Sequence, residues 1–418
     1  SYYVSQHGFL SASSCDHLHQ GSGFLTNHMG LTLELEQALQ VVNPAVTVPY
    51  WDYTIDFHAV LENDEFRSME SFWSSVVFDP DWFGSYSQSS YTLETGRWSG
   101  ILKVETDAWH TSAHNSYGML RAPWNNNNSP VINRFDKVSG SSISSAYEFP
   151  SCEMHFEFGL SSHTLEDFLH YVARKPHGSL HEILGGSLDK TGTYKKLEDF
   201  MLPSDIAEIK TKASTRELWR QGLLQCPEVC EMDTPTEECT CSCGSRQELR
   251  DKLGANRKLL STVWQKASYL SKTETYTTNQ KTQFIELLCE SGVLWGDQAE
   301  AFAPLDLIFW PIHPTVERLG HWNMLSVGLL DQQWPTSENN YWGGGPLGTN
   351  EARCHGHAEH DLLPWKIVLD NGETEAKQYK NYEMYVVSNP SRLEYALPYV
   401  YDSFTWEHCA AEGYDFNT

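Results

Sequence analysis

The chain has 418 residues, with 55 Asp and Glu against 29 Lys and Arg, for a formal net charge of -26. So acidic a surface repels phosphate backbones and anionic bilayers, which argues against a nucleic-acid partner; no run of 18 apolar residues occurs, so no membrane span is expected. Hydrophobic residues at 40% and aromatics at 13% exclude a disordered chain and leave one large core with elaborations, or two domains.

In chain order, the first strongly helical stretch runs from about Leu25 to Val41, where Leu31, Leu35 and Leu39 recur at helical spacing. Asn43-Pro44 ends it, and a short extended segment follows to Trp51. Residues 54–150 read as loop-rich. A helix is expected over Thr164–Arg174 and another from about Pro176, closed by Gly185-Gly186. An insert of roughly 190–300 then reads as three helices, Asp205–Leu224, Ser245–Leu270 and Thr278–Leu294, interrupted by a cysteine cluster. Another helix is expected near His313. The remainder, from about 331, reads as a β or irregular cap.

Histidine is the unusual residue, at 18. Imidazole is the commonest metal ligand, so placement matters more than number. One group is N-terminal: His7, His17, His19 and His28. The other is His177, His181 and His313. A spacing of four puts His177 and His181 on one helix face, one turn apart, where both rings can reach a single ion. The apolar run Leu307–Trp310 would hold His313 in the interior, with Phe309 and Trp310 as walls. A zinc-protease reading is weaker, because the Glu that should follow the first His is Gly178.

These residues resemble the type 3 copper proteins: tyrosinases, catechol oxidases and molluscan-type hemocyanins. The copper A side is similar at His19, at His28 opening its helix, at Glu36, and at Pro49-Tyr50-Trp51-Asp52. The copper B side is similar at His177, His181 and Gly185-Gly186, then at Asp306, Phe309, His313, Glu317 and Arg318. The resemblance implies two copper ions held by His7, His19, His28, His177, His181 and His313, with His17 as an alternative copper A ligand. It also implies dioxygen bound as peroxide and o-diphenols oxidised to quinones. Neutral imidazoles suit copper. Each ligand's second ring nitrogen needs a partner, and Glu36 and Asp306 are the candidate second-sphere carboxylates. Cys15-x-His17 resembles the Cys-x-His that forms a thioether in some family members.

Gly178 stands where several active tyrosinases have Asn, which weakens monophenol hydroxylation and leaves diphenol oxidation. Glu166 and Asp167 precede the copper B helix, where a base could sit. The implied fold is mainly α, with a four-helix core around a dicopper centre. The copper domain spans 1–330, with a helical Cys-containing insert at about 187–300, and 331–418 forms a C-terminal cap or extension. Ten cysteines suit an oxidising compartment, so a secreted protein is expected. Cys226, Cys230, Cys239, Cys241 and Cys243 favour disulfides over an irregular zinc knot. Two further functions remain open: a hemocyanin-like dioxygen carrier, and an extracellular assembly protein built on the same scaffold, with self-assembly contacts.

Overall fold

The computed structural model describes residues 2–63, 70–100, 113–135, 150–200, 215–257, 259–261, 277–336, 340–342 and 354–417. The fold is mainly α. Its helices are α1 (Tyr2–Ser11), α2 (Phe24–Gln40), α3 (Tyr53–Asn63), α4 (Cys152–Ser161), α5 (Leu165–Arg174), α6 (His177–Gly185), α7 (Thr193–Asp199), α8 (Arg246–Ala255), α9 (Thr278–Cys289), α10 (Phe309–Leu325), α11 (Asn381–Ser388) and α12 (Glu407–Ala411).

α2 and α10 form the centre. Both are buried along most of their length, as helices without a wide polar face must be. Leu25 and Met29 of α2 meet Phe309, Trp310 and Val316 of α10 in one apolar cluster. α5 joins it through Leu165, Phe168, Leu169 and Val172, an i, i+3, i+4, i+7 stripe. Its entry is set by Thr164, whose hydroxyl accepts the Asp167 N–H.

The extended Tyr50-Trp51-Asp52 segment docks on α10. The Trp51 N–H donates to the Pro311 carbonyl at 2.9 Å, and the Thr315 hydroxyl donates to the Trp51 carbonyl at 2.6 Å. Asp52 pairs with Arg318 at 2.9 Å, and Arg318 also covers the Trp406 ring at 3.9 Å. One buried guanidinium therefore ties the start of α3, the middle of α10 and the C-terminal segment together.

α6 stops at Gly186, whose φ of 61° favours glycine and where a Cβ would stand 1.8 Å from the Phe135 carbonyl. Strand β1 (Ser187–Asp189) follows at once. It pairs antiparallel with β2 (Val293–Trp295) in the register Ser187↔Trp295. The two strands bring both ends of the insert together, so the insert leaves the core and returns at one place. Leu249 and Leu253 of α8 and Phe284, Ile285 and Leu288 of α9 pack there with Tyr117, Leu120 and Trp295.

Several boundaries differ from the sequence reading. Residues 54–150 contain a helix, α3, whose Tyr53, Phe57 and Val60 are buried against Trp51 and Phe72. α4, at Cys152, has no counterpart in that reading. α10 begins at Phe309, so His313 stands in its second turn and not at its start. Within the insert, α8 ends at Ala255, helical residues resume at 257 and 259–261, and 262–270 lie outside the described set; α9 ends at Cys289, with Val293–Trp295 in a strand. Of the expected helix from Asp205, residues 205–214 lie outside the described set, and 215–220 are helical.

All ten cysteines are paired: Cys15–Cys354, Cys152–Cys409, Cys226–Cys241, Cys230–Cys239 and Cys243–Cys289. The insert cysteines therefore form disulfides and no zinc knot. The fifth of that cluster, Cys243, reaches α9 at Cys289.

Candidate metal centre

Two sets of three histidines stand in the core. His7, His19 and His28 offer ring nitrogens within 4.8 Å of one another, and so do His177, His181 and His313. The sets face each other. The His28 and His313 rings stack at 4.4 Å between centroids and 7° between planes. Phe24 packs on His28 and His177, and Phe309 packs on His313, His7 and His181.

Each ring is oriented through Nδ1. His28 donates to the Phe24 carbonyl at 2.8 Å, His177 to Ala173 at 3.2 Å and His313 to Phe309 at 3.0 Å. In all three the acceptor is four residues back, so the main chain before the ring sets its tautomer. His7 and His181 reach across to another segment, the loop Gln298–Ala301. His7 donates to the Ala301 carbonyl at 2.7 Å and His181 to Gln298 at 3.0 Å. His19 alone uses a carboxylate: its Nδ1 lies 3.0 Å from Asp16 Oδ1, with the Ser11 hydroxyl at 3.3 Å.

This leaves the Nε2 atoms turned inward. Those of His7 and His28 are buried and have no hydrogen-bond partner. Those of His177 and His313 face each other at 3.0 Å. With each Nδ1 proton donated outward, both are lone-pair acceptors, and two acceptors in contact call for a cation between them. Protons are a poor choice. Burial first, then repulsion from neighbouring rings, pushes His7 down to about 3 and holds His28, His177 and His313 well below the usual imidazole range. Neutral, converging imidazoles with orphaned lone pairs are the donor set of a late transition metal, copper above all.

A half-open cavity of about 200 Å³ adjoins both sets, touching His7, His19, His177 and His181. That exceeds the roughly 150 Å³ that accommodates a benzene, so one phenolic ring has room. Phe309 walls it; Trp310 instead turns toward Tyr3.

The common central domain of tyrosinase matches residues 2–201. Over those residues the chain carries a tyrosinase-family domain. The match supports a type 3 copper domain, and tyrosinase-family proteins use dioxygen and phenolic substrates. Five of the six histidines fall inside the matched span, and His313 lies beyond it. Among curated tyrosinase-family proteins, grixazone synthase of Streptomyces griseus subsp. griseus is 55% identical over 38 residues. That stretch is 9% of this chain and 12% of that protein's length.

Four residues that the tyrosinase resemblance singled out stand elsewhere. Cys15 is bonded to Cys354, so its sulfur has no valence for a thioether to His17. The His17 ring turns outward to the His355 carbonyl at 2.8 Å and does not join the first set. Glu36 touches no histidine; it accepts from the Thr47 hydroxyl and the Val48 N–H, closing the turn after α2. Asp306 is held by both Nε and Nη2 of Arg134 at 2.7 Å and serves the turn before α10.

The Asp167 carboxylate accepts from the hydroxyl of Thr164, the N-cap of α5, and is exposed, so it offers no base to the cavity. Around Cys354, His357 is a structural ring, donating to the Asp16 carbonyl at 2.7 Å, and His360 is exposed. His155 packs on Tyr53, while His110 lies outside the described residues.

Sequence reasoning missed Asp16. Its signal was present, since an Asp three residues before a His on a loop reaches that ring. The carboxylate sits well below its usual range. Burial alone would raise it, but the charge and hydrogen bond of His19, with Arg220 and Arg216 nearby, more than offset that.

Proposed function

We propose that this chain is a dicopper oxidase that converts o-diphenols to o-quinones with dioxygen as oxidant. His7, His19 and His28 would hold one ion, and His177, His181 and His313 the other. The observation that carries the reading is the pairing of two imidazole triads through the stacked rings of His28 and His313, with a phenol-sized cavity beside them.

When bound, the copper pair supplies dioxygen activation by cycling between two oxidation states. The protein supplies the rest. Phe24 and Phe309 exclude water from between the triads. The carbonyls of Ala301 and Gln298 hold one ring of each triad on a common loop, which fixes the distance between them. Each diphenol gives up two electrons and two protons, so two diphenols reduce one dioxygen to two waters. A cavity open to solvent supports catalysis over oxygen carriage, which needs no substrate path.

Gly178, on the cavity wall, offers no side chain to hold a proton-accepting water, so diphenols are favoured over monophenols. Five disulfides support a secreted setting. The test is to load the purified chain with copper, expose it to oxygen, and add catechol and then phenol. An oxygen-dependent charge-transfer band, two coppers per chain and quinone from catechol are expected. No band would end the copper reading, and a band without quinone would favour a carrier.

A further inference from the structure

The cavity wall carries one charged group that the fold does not use. Arg216 lies on the helical run 215–220 of the insert and lines the cavity beside His19 and Asp16. Its guanidinium makes no hydrogen bond or ion pair among the described residues, and its Nε is enclosed without a partner.

The neighbouring cation shows the contrast. Arg220, one turn on, donates to the Ser11 and Ser13 carbonyls and to Gln20, and lies 3.8 Å from Asp16. Asp16 itself is engaged by His19 and Arg220. Glu217, the next carboxylate, accepts from Gln221. Two guanidiniums thus press on one carboxylate, and Arg216 is the surplus. In a chain with 55 acidic residues against 29 Lys and Arg, a cation left without a carboxylate at a cavity is not for want of anions. An enclosed guanidinium nitrogen without a partner is costly.

The rest of the wall does not cancel it. Arg174, which also lines the cavity, adds positive charge and is engaged by His170 at 3.1 Å. Glu300 is pushed up to about 8, first by burial and then by Asp297, with the Ala122 N–H, Arg121 and Asn125 opposing, so it is neutral at pH 7. Among the described residues of the wall, Asp16 and Glu182 are the remaining anions.

We infer that Arg216 receives the carboxylate of the substrate, so that the preferred substrates are o-diphenols bearing a carboxylate, such as 3,4-dihydroxybenzoate. Planar guanidinium matches carboxylate in a two-point fork, which also orients the ring carrying it. The cavity's being a substrate site rests on the oxidase reading; the preference for a carboxylate does not.

The experiment therefore has two arms. In the first, the full-length metal-free protein is titrated with benzoate and with its neutral isostere benzamide. Benzoate should bind about tenfold tighter, the scale of one hydrogen bond to a charged group, and Arg216→Gln should abolish that preference. Equal binding of the two in the parent protein, or a preference that survives in Arg216→Gln, overturns the inference. So does benzoate binding that appears only after copper loading, since the carboxylate would then be seeking the metal. In the second arm, the copper-loaded protein is compared on 3,4-dihydroxybenzoate and catechol. The ratio of their kcat/KM values should fall about tenfold in Arg216→Gln; an unchanged ratio counts against the inference. If neither diphenol is oxidised, the oxidase reading fails, while the first arm still decides the role of Arg216.

Discussion

His177, His181 and His313 stand on two helices, and every ring of that triad is held by a main-chain carbonyl. His19, the middle member of the other triad, stands on a loop between α1 and α2 and is held by a carboxylate. The helical triad is built largely by local geometry. The loop triad depends on contacts from far along the chain. Cys15 is tied to Cys354, Asp16 accepts from His357, and Arg220 grips the Ser11 and Ser13 carbonyls. One triad is therefore a property of helices, and the other a property of the whole fold.

The sharpest break in that comparison is removal of a helical ligand. His313→Ala should cut bound copper from two ions per chain toward one and reduce diphenol oxidation to background, because both ions are needed. The loop triad should keep its ion. Copper analysis and oxygen uptake read both effects. Loss of both ions would mean that the triads fold as one unit and not as two.

Acid should attack the two triads alike. His7 and His28 on one side, and His177 and His313 on the other, have folded pKa values below the unfolded value of about 6.5. Between the two values the unfolded chain binds more protons, so stability is full above pH 6.5 and is lost as pH falls. His155, His321 and His357, each pushed down to about 4 by burial, act in the same direction. Glu300 and Glu317, raised to about 8 by burial, act oppositely, weakening the fold as pH climbs through 4.5 to 8. Seven rings outweigh two carboxyls. The metal-free protein should lose on the order of a few kcal/mol between pH 6.5 and 5 in urea titrations. A flat profile would mean that the rings are not buried as described.

The disulfides separate the triads again. Replacing Cys15 and Cys354 by Ser should cost about 2–5 kcal/mol and selectively weaken copper at the loop triad. Replacing Cys152 and Cys409, which tie α4 to α12 away from the two triads, should cost a similar amount and leave copper affinity unchanged. Equal copper loss in both variants would make the loop's attachment irrelevant. Asp16→Asn is the finer cut. It keeps shape but removes the charge facing His19, and should lower copper affinity of that triad by about 10–100-fold, with no effect on the helical one. Its readout is a competition titration against a chelator of known strength.

The same division governs what the sequence makes legible. The helical triad is readable because an i, i+4 pair and a buried apolar run before His313 are local patterns. His7, His19 and His28 are readable as candidates, but what holds His19 is not. The family resemblance suggests a bond between Cys15 and His17, whereas the partner of Cys15 is 339 residues away, and no local pattern encodes that. Glu36 and Asp306 look like ligand supports because they are acidic and buried; only the fold shows that a turn and Arg134 claim them first. α3 escaped notice because its apolar face is aromatic and interrupted by polar residues. Arg216 was invisible for a simpler reason: an unpaired cation is defined by the partners it lacks.

Gly178→Ala should have the smallest effect, and it tests whether the helical triad is as self-contained as its geometry implies. The residue lies in the first turn of α6, between His177 and His181. A Cβ there would meet only the Ala173 carbonyl at 3.5 Å, an ordinary van der Waals contact. That carbonyl is the one that receives the His177 Nδ1 proton. Alanine favours helix over glycine by up to about 1 kcal/mol, so the variant should be unchanged or slightly more stable in urea, with both coppers retained. Gly185, at the other end of the same helix, has no such room, since a Cβ would stand 2.3 Å from the Ala299 nitrogen, next to the carbonyl that orients His181. A measurable loss of copper in Gly178→Ala would show that the contact between His177 and Ala173 has less slack than its 3.2 Å length suggests, and that even the helical triad is set by packing beyond its own turns.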